Sequence, residues 1–306
     1  MTKQRNRELH HYVPQFYLRH WCEADGKMWV HPRDGSPLYR ASPKSFCAET
    51  GLYDTSTTPE LRAWDQEGDL SRGEAIFAKK WPDIFECACN KRTKMNLARY
   101  LAISYLRHPN TRRMIDNINT ATRDLISKIV PHQKTIDIRV KDKSLTLDVD
   151  HVRQKTEDTD TNIQEGFLRV MRSSAQDLAN TLFNRKWGIL FSSEPIFATA
   201  DCPFVLWRGS SSCRTFGIGT AGTQLSFPLS PRKLLLIDDD FTYDGMLYPL
   251  KSVGNLNTGI IKAAERFVFS ATQDVIGTQS PSLYAGPAAG LAYGEACSVR
   301  TTRRKQ

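Results

Sequence analysis

Trp187-Gly188-Ile189-Leu190-Phe191 marks the change of period that decides the fold class. Behind it come Phe204-Val205-Leu206-Trp207, Gln224-Leu225-Ser226-Phe227-Pro228-Leu229, Leu234-Leu235-Leu236-Ile237 and Phe267-Val268-Phe269-Ser270, set apart by Gly, Pro, Ser or Asp. Runs of four to six residues are too short for helices and predict buried strands. One helix interrupts them, from about Asn255 to Arg266, on Ile260, Ile261, Ala264 and Phe267.

Before Lys186 the spacing is helical. Leu61, Trp64, Leu70, Ile76, Phe77 and Trp81 recur behind Pro59, a residue suited to a first turn, while Glu60, Asp65, Glu67, Asp69 and Glu74 fill a face that reads as solvated. A second helix is predicted from Lys94 to Arg107, ended or kinked by Pro109. A third runs from Asn110 to Val130, and a fourth from Ile163 to Phe183. Between them, Ile136–Val140 and Leu145–Val149 alternate and predict an exposed hairpin or inserted arm. Near the start, Lys27–His31 and Pro37–Arg40 flank Asp34-Gly35, a hairpin turn. Phe46 to Tyr53 reads as a short helix or irregular turn stopped at Gly51. The pattern is α+β: an N-terminal hairpin, a helical middle, then a mixed or antiparallel sheet. Residues 1–275 read as a single α+β domain, 1–8 being a polar lead-in, and 276–306 as a loosely ordered basic tail.

Composition narrows the function classes. Of 306 residues, 40% are hydrophobic and 25% charged, which suits a chain able to bury a real core. No apolar run approaches the roughly 20 residues a bilayer needs, and the basic start leads into no signal core. A cytoplasmic protein without a membrane partner is expected. Cys87-Ala88-Cys89 is the only close pair among seven cysteines, and its single spacer is too short for a zinc knuckle. The net charge of +9, with clusters at 91–99 and 107–113, favours polyanions and makes nucleic acid the expected partner. The plain alternative is a solvated basic surface.

Three places hold groups suited to chemistry. In His10-His11-Tyr12-Val13-Pro14-Gln15-Phe16-Tyr17, imidazole and phenol carry transferable protons among large apolar neighbours. Adjacent residues of an extended segment face opposite ways, so His11 is favoured over His10. In Leu106-Arg107-His108-Pro109, Arg107 could grip an anion with paired hydrogen bonds or cap helix carbonyls. In Phe197-Ala198-Thr199-Ala200-Asp201-Cys202-Pro203, Asp201 could orient a histidine, hold a metal or bond its own turn amides.

These segments carry a resemblance. The chain resembles an uncharacterised, mainly bacterial family of domain-of-unknown-function proteins whose hallmark is an N-terminal His-Tyr-Val-Pro-Gln-Phe-Tyr-Leu, matched by His11–Leu18. Leu106–Pro109 is similar to the family's Arg-x-Pro at a helix end. Phe197–Pro203 is similar to its Phe-x-Thr-Ser-Asp-x-Pro turn, with Ala200 in place of serine, and Phe227–Pro231 to its Pro-Leu-Ser-Pro strand. The resemblance covers most of the chain and supplies residues rather than a reaction.

Three functions follow as expectations. As a nuclease, acting as a toxin or phage-defence effector, the protein would use His11 as general base or metal ligand. Arg107 would stabilise phosphorane-like charge, and Asp201 would orient His11 or bind a divalent metal cofactor. His10, Gln15, Tyr17 and Thr199 would bind substrate. As a binder, it would use the same donors for a nucleotide or other anionic ligand. As a structural protein, it would use them as a buried polar network. No nucleophile elbow, phosphate loop or dinucleotide fingerprint is present.

Overall fold

The apolar runs after Lys186 form strands in the structure, a computed structural model. It describes residues 9–54, 66–86, 90–129, 134–140, 143–157, 159–208, 217–220, 222–239, 246–249, 256–277 and 294–295. The lead-in 1–8, the helix start at Pro59, the Cys87-Ala88-Cys89 pair and most of the 276–306 tail lie outside those residues.

The chain opens with β1 (Leu9–His11) and the single turn α1 (Gln15–Leu18), extended by a 3-10 turn over Arg19–Trp21. β2 (Met28–Pro32) and β3 (Tyr39–Ala41) form the expected hairpin, with Gly35 at φ +84 in its turn. β4 (Ala48–Thr50) follows and pairs antiparallel with β1, His10 opposite Glu49. Within Phe46–Tyr53, read as a short helix or irregular turn stopped at Gly51, no helix forms: Ala48–Thr50 is strand and Gly51–Tyr53 is turn, with Gly51 at φ +72. A three-residue strand takes its identity from a distant partner, which periodicity cannot reveal.

The helical middle comprises α2 (Gln66–Glu86), α3 (Lys91–Leu106) and α4 (Pro109–Ile129). After the hairpin β5 (Thr135–Val140) and β6 (Lys143–Asp148) come α5 (Val149–Thr156) and α6 (Asp160–Asn184). Asp148 caps α5 by accepting from the His151 amide, so the predicted strand at Leu145–Val149 stops at Asp148 and a helix begins. Asn90 and Thr159 cap α3 and α6 in the same way.

Then follow β7 (Trp187–Phe191), β8 (Thr199–Ala200), β9 (Val205–Arg208), β10 (Thr223–Ser230), β11 (Lys233–Ile237) and β12 (Met246–Pro249). α7 (Leu256–Ala263), β13 (Phe267–Ser270), α8 (Asp274–Gly277) and β14 (Gly294–Glu295) complete the described elements. The larger sheet runs β12-β7-β11-β10-β9-β14. Its inner neighbours are antiparallel and both edge strands join in parallel, so the sheet is mixed. A second, antiparallel sheet runs β3-β2-β13-β8.

Register explains why these strands read as continuous apolar runs. Phe227, Leu235 and Ile189 line up across β10, β11 and β7, facing the cluster that holds Trp81, Tyr100 and Phe167 of the helices. Leu234, Leu190 and Leu236 point the other way, against Phe197 and Leu256. On β9, Val205 and Trp207 pack on Ile260 and Ile261 of α7. A sheet covered on both faces has no side left for polar alternation. α7 approaches so closely that a Cβ at Gly259 would lie 2.3 Å from the Trp207 ring. Among the described residues, no helix is long and apolar enough to cross a membrane.

Candidate functional site

The N-terminal signature is turned inward. Strand alternation buries His10, whose Nδ1 accepts the Tyr53 amide at 3.0 Å while its ring stacks on Tyr53. His11 faces the other way and is half-buried. Its Nε2 lies 3.2 Å from the Lys44 carbonyl and 3.1 Å from Gln15 Nε2, donating to the first or accepting from the second according to tautomer. Tyr17, fully buried, donates to the Pro228 carbonyl at 2.8 Å. That uses its one proton, so Thr199 donates to the phenol oxygen at 2.7 Å. Burial holds the Tyr17 pKa far above its usual value, and the phenol is no proton carrier near neutrality. Trp21 Nε1 donates to the Phe197 carbonyl at 3.2 Å. The four resembling segments thus do meet, mainly through main-chain acceptors.

Arg107 follows α3 and is 2% exposed. Its Nε donates to the Tyr53 hydroxyl at 3.1 Å, one terminal nitrogen pairs with Glu74, and the other donates to the His11 carbonyl. Burial alone would depress its pKa, yet Tyr53 and Glu74 hold it above the ordinary value. A guanidinium carries five N–H donors. Three are used, which leaves two without a protein acceptor among the described residues.

Asp201 belongs to a different network. Its carboxylate accepts the amides of Glu265 at 2.9 Å, Arg266 at 2.6 Å and Phe267 at 3.1 Å, tying β8 to the lead into β13. Burial raises its pKa to about 6 against the lowering effect of those amides. Its carbonyl accepts from His108 Nε2 at 2.8 Å, while His108 Nδ1 accepts the Asn110 amide at 3.2 Å. Burial lowers the His108 pKa to about 4, and both ring nitrogens are committed in a neutral tautomer. Asp201 and Arg107 share no hydrogen bond, and His11 reaches Arg107 through its carbonyl rather than its ring. Among the described residues no group of three His, Cys, Asp or Glu is placed to hold a metal ion.

Arg107 lines a cavity of about 150 Å³ between α2, α3 and α6; His11 and Asp201 do not. Helical spacing builds its walls: Tyr100 and Ser104 of α3 and Arg107, its C-cap, lie at i, i+4 and i+7, and Leu70, Glu74 and Phe77 on α2 share a face. Met171 comes from α6. Glu74 was expected on a solvated face. Instead α2 turns that side toward α3, and the Glu74 side chain is 28% exposed against Arg107. Burial raises the Tyr100 pKa and the neighbouring Ser104 hydroxyl pulls it partly back. Ser104 Oγ itself, in a residue 5% exposed, meets no partner at hydrogen-bonding geometry. Gly73 also lines the cavity, where an added Cβ would meet only Phe77, at 3.8 Å.

Residues 9–274 match the family described as "Protein of unknown function (DUF4238)". The chain belongs to that family. No curated protein and no solved structure matches this DUF4238 chain. Sequence reasoning found Arg107 but missed Tyr53, Glu74, Ser104 and Gly73. Two signals were available: a serine on an otherwise apolar helix face at Leu97, Leu101 and Ser104, and a glycine inside a helix, where it costs about 0.5–1 kcal/mol relative to alanine.

Proposed function

We propose that this protein binds a small anionic ligand in the cavity against Arg107, and that the surrounding network couples that site to the N-terminal strand. One observation carries the reading: a buried guanidinium with two spare N–H donors lies on the wall of a cavity rather than in a closed core. Buried donors without acceptors are costly, and an anion entering the cavity would supply acceptors. At about 150 Å³ the cavity is smaller than the ~300–1,000 Å³ of drug-sized sites, so it suits a small acid or a fragment of a nucleotide. Arg107 also holds the His11 carbonyl, which gives the ligand a route to β1.

The test is thermal unfolding with a panel of small carboxylates, inorganic phosphate and nucleotides, in wild type and in Gly73→Leu, which fills the cavity. An anion at 100 times its dissociation constant should stabilise wild type by about 2.7 kcal/mol and leave the filled variant unmoved. No response to any anion at millimolar concentration overturns the reading.

A second reading, cleavage of nucleic acid phosphodiesters, is favoured by the half-buried His11 imidazole, held against the Lys44 carbonyl, on a chain of net charge +9. Labelled RNA and DNA incubated with Mg²⁺, Mn²⁺ or chelator test it. Cutting that disappears in His11→Ala with the melting temperature kept supports it; intact substrate throughout removes it.

A further inference from the structure

Resting on the anion site proposed above, we infer that its ligand is a small aliphatic monocarboxylate, which takes the place of Glu74 on Arg107 and accepts a hydrogen bond from Ser104. Charge decides between anion classes. Arg107 is paired with one carboxylate, Glu74; Asp69, itself paired with Arg72, and Arg172 also line the cavity, so its acidic and basic side chains balance. Exchanging one carboxylate for another leaves the balance of the cavity unchanged. A phosphate dianion would bring one negative charge more than the carboxylate it displaces, against a buried guanidinium that carries a single positive charge.

Shape points the same way. The polar end is made by Arg107 and Ser104, three residues apart on one helix face, and the remaining walls include Leu70, Phe77, Ile103 and Met171. A carboxylate at the first and a short hydrocarbon against the second would satisfy both. Ser104 is the independent observation: its hydroxyl is buried, lines the cavity and, although the Tyr100 phenol is close by, makes no hydrogen bond of good geometry. A serine in that state loses hydrogen bonding without compensation unless something enters the cavity.

Glu74 is then a tethered competitor. Its side chain is 28% exposed, so it can swing to water when an external acid arrives. A binding site available only one part in ten of the time shows an apparent dissociation constant about ten-fold weaker than its intrinsic one. Removing the competing charge should recover that factor.

The experiment is isothermal titration of the whole chain with butyrate, with 1-butanol as its uncharged counterpart, and with inorganic phosphate. Wild type should bind butyrate and ignore butanol. Glu74→Gln should bind butyrate about ten-fold more tightly. Ser104→Ala, nearly isosteric, should bind it about five-fold more weakly, the loss of one ordinary hydrogen bond. Thermal unfolding of each variant checks that it is folded, and Gly73→Leu, which alters no charge, should abolish binding. Phosphate binding without butyrate binding overturns the monocarboxylate and leaves the anion site standing. Butyrate binding that Glu74→Gln weakens overturns the competitor. If neither anion binds wild type or Glu74→Gln, both inferences fall.

Discussion

Replacing Gly73 with alanine should make the protein more stable and its cavity smaller. Gly73 lies within α2, and no positive φ forces a glycine there. Alanine in a helix interior is favoured over glycine by about 0.5–1 kcal/mol, because the unfolded chain has less freedom to lose. The new Cβ would meet Phe77 at 3.8 Å, ordinary van der Waals contact, so no strain is subtracted. A partly buried methyl adds a few tenths of the roughly 0.8 kcal/mol assigned to a fully buried CH₂. The sum is about 1 kcal/mol, or about 2 °C in melting temperature for a chain of this size. Denaturant unfolding at unchanged m-value, with calorimetry beside it, reads both quantities. A fall in stability would mean that α2 packs more closely on α3 and α6 than the structure places it. The cavity, and the anion site with it, would then be lost.

Gly259→Ala should act in the opposite sense. Its Cβ would lie 2.3 Å from the Trp207 ring, and the forced repacking of α7 should cost about 1–3 kcal/mol in the same unfolding assay. Tyr17→Phe should cost about 1–3 kcal/mol, since it strands the Pro228 carbonyl and the Thr199 hydroxyl in a dry interior. Acidification should destabilise the protein through His108. Its folded pKa of about 4 lies below the usual 6.5, so the unfolded chain takes up protons first as pH falls from 6.5 to 4. That is worth up to roughly 3 kcal/mol. Asp201 opposes it: a pKa raised from 3.8 to about 6 contributes stability below pH 3.8 that is lost as pH rises to 6. Unfolding measured across pH 4–7 should therefore show a shallower acid loss in His108→Gln and a steeper one in Asp201→Asn.

The layout was legible where burial imposes a period. β7, β10, β11 and β13 showed as short apolar runs because these strands bury side chains on both faces, and α3, α4 and α6 because each buries one stripe. β4 and β8 were not legible, being two or three residues long and defined by pairing with β1 and β13. The family resemblance pointed to the right segments for a reason of packing. Tyr17, Thr199 and Pro228 touch one another, and Arg107 reaches the His11 carbonyl. What the sequence could not show was direction. The Asp201 carboxylate is taken up by three amides, and the Arg107 guanidinium faces a helical cavity instead of the His11 ring. Glu74 escaped notice because a carboxylate on an amphipathic helix looks the same whether it meets water or an arginine across the interface.

The most direct test uses 4,4,4-trifluorobutyrate, whose fluorine resonance reports binding without labelling the protein. Its line should broaden and shift with wild type, return on addition of excess butyrate, and stay sharp with Gly73→Leu. Equal broadening by wild type and the filled variant, or none by either, would contradict an acid seated in the cavity beside Arg107.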